Sequence, residues 1–167
     1  MISSGKEPLK MSEFAVKTND LMPKYAFEYL LTFVEKSKFV NLDITLLGVS
    51  YLADVGDTRY SPVEPFYRYL NQLSSDIYLY DPYVNFWEEL NLSVNTSQNM
   101  DDIFKNNIDL LIFSTGHSIY KNNKKFISSL CEIDSCVIYD TIGILSQNEI
   151  KLLSKRHKVK VLGRGDI

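Results

Sequence analysis

The sequence predicts a three-layer α/β fold on a mostly parallel sheet, preceded by one apolar helix. Three observations carry this. From residue 43 onward, short apolar runs alternate with helix-length segments. The runs at 44–48, 77–80, 110–113 and 136–139 are mostly apolar at successive positions, not every second one, as befits strands covered on both faces. The 167 residues, 45% of them hydrophobic and 7 of them Gly, suit one packed domain with a real core. Strands covered on both faces and joined by helix-length crossovers form right-handed βαβ units, the Rossmann-like arrangement.

Taken in order, residues 1–17 show no sustained period and read as a flexible lead-in. A helix is predicted over 19–34, with Asn19 and Asp20 as caps and Pro23 in its first turn. It is apolar nearly all round, so either it buries a second face against another domain or subunit, or it docks on the sheet as a simple terminal helix. Strands follow at 44–48, 77–80, 110–113, 136–139 and 158–162, with a shorter one near 92–94. Helices are expected at 62–73, 100–105, 118–130 and 147–155, the first opened by Ser61 as cap, Pro62 and Glu64.

Charge and cysteine usage narrow the function. With 18 Lys and Arg against 21 Asp and Glu the net charge is −3, so no bulk positive field exists for nucleic acid or an anionic membrane. Cys131 and Cys136 form neither a disulfide framework nor a zinc spacing. Acidic neighbours Glu132 and Asp134 offer no electropositive setting for a thiolate, so both cysteines read as structural. The first ten residues are polar and no run of about 18 apolar residues occurs, so a cytoplasmic protein is expected.

In such sheets ligands sit beyond the carboxyl ends of the strands, where the strand order reverses. The residues to weigh follow Gly48, Tyr80, Phe113 and Tyr139. The segment 48–62 lacks the closely spaced glycines of a dinucleotide fingerprint. It carries instead Asp54, Asp57 and Arg59, which either brace the loop as ion pairs or meet a ligand.

This segment resembles the signature that opens the C-terminal domain of the UDP-glucose/GDP-mannose dehydrogenase family, approximately G-L-[AS]-[FY]-K-x-D-x-x-D-x-R-x-S-P. Gly48, Ser50, Tyr51, Asp54, Asp57, Arg59, Ser61 and Pro62 fall in register. Asn19 to Pro23, Tyr80 to Val84, Thr115 with His117, Tyr139 to Thr141 and the closing Leu162 to Gly165 agree in order and spacing. The resemblance implies an enzyme in three parts: a Rossmann domain for NAD, a helical middle carrying a catalytic cysteine and forming the dimer, and a C-terminal domain gripping the nucleotide-sugar. Such enzymes oxidise the sugar C6 alcohol to a carboxylate with NAD, as polysaccharide biosynthesis requires. This chain matches the last part. Residues 18–40 correspond to the end of the dimerisation domain and 41–167 to the nucleotide-sugar-binding domain.

By that resemblance Tyr51 and Leu52 stand where the family touches the nucleotide-sugar, and Arg59 where an arginine reaches NAD. Leu52 replaces a lysine and Tyr60 a common glutamate, and Thr141-Ile142-Gly143 lacks an arginine that reaches a neighbouring subunit's substrate. The expected partner is a UDP-sugar, with a separate NAD-binding and catalytic chain and a homodimer through the N-terminal helix. No catalytic residue or metal ligand is expected in this chain, and no cofactor binding by it alone. The other reading is a degenerate relative that keeps the fold as a dimerisation or regulatory module. An unrelated receiver-like or flavodoxin-like domain would need an acidic phosphoacceptor cluster or a phosphate loop, and neither is visible.

Three weaker candidates remain. Asp81 before Pro82 either starts a turn or holds a ribose hydroxyl, and His117 either opens a helix or faces a ligand. His157, flanked by Arg156 and Lys158, is expected at the surface.

Overall fold

The first helix, α1, runs over Lys10–Leu30 in a computed structural model that describes residues 10–74, 76–97 and 99–165. It begins well before the expected caps, and residues 10–17 are helical, not a lead-in; residues 1–9 lie outside the described ones. A Lys17–Glu13 pair at 2.7 Å, one turn apart, supports this stretch. Pro23 therefore sits inside the helix, where it removes one hydrogen bond, and it is itself buried. Beyond it Ala26 and Leu30 turn inward, and the Tyr139 hydroxyl donates to the Ala26 carbonyl at 2.9 Å. Met11, Phe14, Val16 and Tyr25 remain exposed.

A 3₁₀ turn over Lys36–Asn41, anchored by the fully buried Phe39, leads into the sheet. Its strands are β1 (Ile44–Leu47), β2 (Ile77–Tyr80), β5 (Leu110–Phe113), β6 (Val137–Asp140) and β7 (Lys158–Val161). All five are parallel, in the order β2-β1-β5-β6-β7. Between β2 and β5 the chain forms a small antiparallel hairpin of β3 (Phe86–Trp87) and β4 (Leu92–Ser93), turned by Asn91 at φ 55°. The first strand of that hairpin was not expected from sequence.

Each strand residue points to the face opposite its neighbour, and two cores result. Leu46 and Ile112 join Leu30, Phe39, Leu70 and Trp87 under α1, α2 (Val63–Asn71) and the hairpin. Leu47 and Phe113 join Phe126, Leu130, Ile150 and Leu153 under α3 (Lys124–Glu132) and α4 (Gln147–Leu153). The sheet is thus covered on both sides, as the apolar runs require.

Helix starts depart from expectation in two further places. Ser61 Oγ accepts the Val63 N–H at 3.2 Å, but Glu64 turns forward to Arg68 at 2.8 Å, so the reciprocal half of the cap is missing. α3 begins only at Lys124, capped by Asn123, whose side chain accepts the Phe126 N–H at 3.1 Å. Residues 117–121 close tight turns of their own, and Asn122 at φ 50° precedes the cap.

His157 is buried, contrary to the surface position expected. Its Nε2 bonds the Leu130 carbonyl at 2.8 Å, and its Nδ1 lies 3.3 Å from both the N–H and the Sγ of Cys136. Burial pushes the Cys136 thiol up to about 12, which keeps it protonated.

Candidate functional site

The strand order reverses between β1 and β5, and the loops that leave their carboxyl ends form the rim. Gly48 opens the first of them at φ 93°, where a Cβ would lie 2.4 Å from that of Thr115. Only glycine permits this approach. The two loops are then stitched together. Ser114 Oγ donates to the Gly48 carbonyl at 2.6 Å, and Thr115 Oγ1 donates to the Ser50 carbonyl at 2.8 Å.

Asp81, at the end of β2, is the polar centre of the rim and wholly buried. Its Oδ2 accepts from Val49 N at 2.8 Å, Ser50 N at 3.0 Å, Ser50 Oγ at 2.7 Å and His117 Nε2 at 3.1 Å. Its Oδ1 accepts the Tyr83 N–H at 2.9 Å. Burial raises the Asp81 carboxyl, but hydrogen bonds from His117, Ser50 and the backbone outweigh it and hold the group below the ordinary carboxylate range. The turn reading of Asp81 stands, and its oxygens are not free for a ribose.

His117, also wholly buried, works as a coupler. The Asp54 N–H donates to its Nδ1 at 2.9 Å, which places the ring proton on Nε2 facing Asp81. Asp54, at φ 61°, uses its carboxylate to accept from the Ser118 N–H at 2.9 Å and from the Ser118 and Tyr83 hydroxyls. Asp57 makes the ion pair foreseen for this loop. Arg59 donates from Nε at 3.0 Å and Nη2 at 2.7 Å, and these bonds draw the Asp57 carboxyl down to about 2. Of the two acids, then, one braces Arg59 and the other ties the loop to the turn after β5.

The Tyr51 N–H donates to the Asp57 carbonyl at 2.7 Å, closing the loop on itself. Tyr51 and Leu52 face solvent, about half exposed at 52% and 57%, and the Arg59 side chain is 78% exposed. All three share one loop on the rim.

The rim has little to offer a phosphate. Pro62 and Pro65 lack N–H groups, and those of Val63 and Glu64 are taken by Ser61, so the start of α2 presents no free donor there. After β6 the Asp140 carboxylate accepts from Ile142, Gly143 and Leu145 N–H at 3.1, 2.8 and 2.9 Å. Segments 48–62, 81–85 and 140–146 together hold four aspartates and a single Lys or Arg, Arg59. These residues do not fit the pyrophosphate of a dinucleotide cofactor. Beside the rim a cleft of about 170 Å³ opens between α1 and α2, lined by Met22, Ala26, Pro62, Phe66, Ser114 and Ile142 among others. That is smaller than the roughly 300–1,000 Å³ of a self-contained ligand site. No group of three or more His, Cys, Asp or Glu placed to hold a metal occurs among the described residues.

A five-stranded parallel sheet with a rim of this kind defines a Rossmann-like binding domain. The family model for the UDP binding domain of the UDP-glucose/GDP-mannose dehydrogenase family matches residues 45–147, and the chain belongs to that family. It is 32% identical over 166 residues to a UDP-N-acetyl-D-mannosamine dehydrogenase of Methanococcus aeolicus, covering 98% of this chain and 36% of that protein. It thus spans about a third of the curated relatives it matches. In fold it is similar to the UDP-D-ManNAc dehydrogenase of Pyrococcus horikoshii, with a TM-score of 0.74 at 23% identity over 100% of this chain and 37% of that one. An NDP-N-acetyl-D-galactosaminuronic acid dehydrogenase of Methanosarcina mazei Go1 gives 0.74 at 23% identity, over 98% and 34%.

Two features of the rim were not anticipated. The Asp81–His117 pair spans 36 residues of sequence, and Asp-Pro at one strand end with Thr-x-His at another was its only trace. Asp140 was visible only as part of the Tyr139 to Thr141 segment, which carried no sign that its carboxylate turns inward.

Proposed function

We propose that this chain is the nucleotide-sugar-binding domain of a UDP-sugar dehydrogenase, and that it supplies one wall of the site rather than a complete pocket. The observation that carries this is the 48–62 loop, which matches the family signature and lies on the carboxyl rim at the reversal of strand order. Tyr51 and Leu52 meet the nucleotide-sugar, and the charge that the diphosphate needs comes from outside the rim. Arg59 gives a single contact to NAD held by another domain or chain. The complete enzyme oxidises the C6 alcohol of the sugar to a carboxylate in NAD-dependent steps, and this chain alone turns nothing over. Two copies pair through the apolar face of α1, where Met11, Phe14 and Val16 stand exposed.

Calorimetric titration with UDP and UDP-sugars tests the binding role: heat in the millimolar range is expected, and silence there removes it. A second reading, a non-catalytic relative retained for dimerisation or regulation, is favoured by Leu52 and by the carboxylates that fill the rim amides. The same silence, with pairing through α1 intact, would select it.

A further inference from the structure

One rim residue breaks the rules of its own turn. Residues 58–61 form a four-residue turn closed by the Ser61 N–H donating to the Thr58 carbonyl at 3.0 Å. The third residue, Tyr60, sits at φ 59°. That place ordinarily takes Gly or Asn, because in left-handed backbone a Cβ crowds the next carbonyl. A bulky aromatic there is an outlier. Packing of the ring would be the usual compensation, yet Tyr60 is 93% exposed. Among the described residues its hydroxyl makes no hydrogen bond and its ring stacks on no other ring. Strained backbone that no packing of its side chain repays is a pointer to function.

The neighbours indicate which function. The Tyr51–Asp57 backbone bond and the Arg59–Asp57 pair bring Tyr51, Arg59 and Tyr60 onto one stretch of rim. Two exposed aromatic rings on the loop proposed to meet the nucleotide-sugar suit the flat face of a base.

We infer that Tyr60 is a ligand-contact residue, held out from the rim by its left-handed backbone so that its ring stacks on the base of the uridine nucleotide. This rests on the nucleotide-sugar reading above. The full chain and its Tyr60→Asn, Tyr60→Ala and Tyr60→Phe variants, titrated with UDP and with NAD and melted in parallel, test it. Asn tolerates the backbone without loosening the unfolded chain as Gly would. Tyr60→Asn should raise the melting midpoint by about 2–4 °C and weaken UDP binding about tenfold. Tyr60→Ala should weaken binding without raising the midpoint, and Tyr60→Phe should bind like the parent.

Unchanged UDP affinity in the Asn and Ala variants overturns the role of Tyr60 and leaves the nucleotide reading intact. Equal loss in Tyr60→Phe assigns the effect to the hydroxyl and overturns stacking. A lower midpoint in Tyr60→Asn overturns the strain argument, and variants that lose NAD but keep UDP overturn the uridine assignment. A parent chain that binds no UDP overturns both this inference and the reading beneath it.

Discussion

Asp81 directs its charge wholly inward, and the rim is built on that choice. Five donors from three loops converge on one carboxylate. Replacing His117 by Phe would leave the buried Asp81 a donor short and the Asp54 N–H of a part-buried bond without its acceptor. The expected cost is about 2–4 kcal/mol, read by denaturant unfolding. The pH dependence has a definite sign. Asp81 lies below its unfolded value, so its contribution is complete above about pH 4 and is lost as pH falls through the folded value. Stability measured from pH 6 downward should therefore drop in acid, and Asp81→Asn should flatten that drop. Leu52 allows the opposite experiment. Leu52→Lys places a cation on a rim that has one, so UDP affinity should rise about fivefold at low salt and the gain should fade as salt is added.

At the scale of elements, α4 shows how a short helix is fixed by its first turn. Ser146 and Glu149 form the full reciprocal cap that Ser61 and Glu64 do not. Ser146→Ala should cost about 1 kcal/mol in chemical denaturation, against half that or less for Glu64→Ala. α1 poses an association question. Phe14→Glu on its exposed face should shift the chain toward monomer in sedimentation equilibrium, while a chain already monomeric at high concentration would remove the proposed pairing. The strands were legible in the sequence because burial on both faces leaves uninterrupted apolar runs, and 44–47, 77–80 and 110–113 could be read nearly to the residue. The helix starts were less so. Asn19, Asp20 and Pro23 all signal a beginning, yet the helix runs through them from Lys10. His157 looked solvated among cationic neighbours in sequence, whereas its real partners, Leu130 and Cys136, come from other elements. The site was legible as a loop, through its motif, and not as a network, because Asp81, His117 and Asp54 meet only once the strand order is known.

Over the whole molecule, two cores share one sheet. Leu46 and Leu47, adjacent in sequence, serve opposite faces and are both fully buried. Either one changed to Ala should cost about 2–5 kcal/mol, and because the sheet belongs to both cores, melting should stay a single transition. Trp87, the only tryptophan and wholly buried, reports that transition by fluorescence. The fold also settles what the rim can do as it stands. The N–H groups of Val49, Ser50 and Tyr83 are taken by Asp81, and those of Ile142, Gly143 and Leu145 by Asp140, before any ligand arrives. A nucleotide held against the rim in the proposed role gains no hydrogen bond from those six groups, so fast exchange is expected unless another domain or chain closes over it.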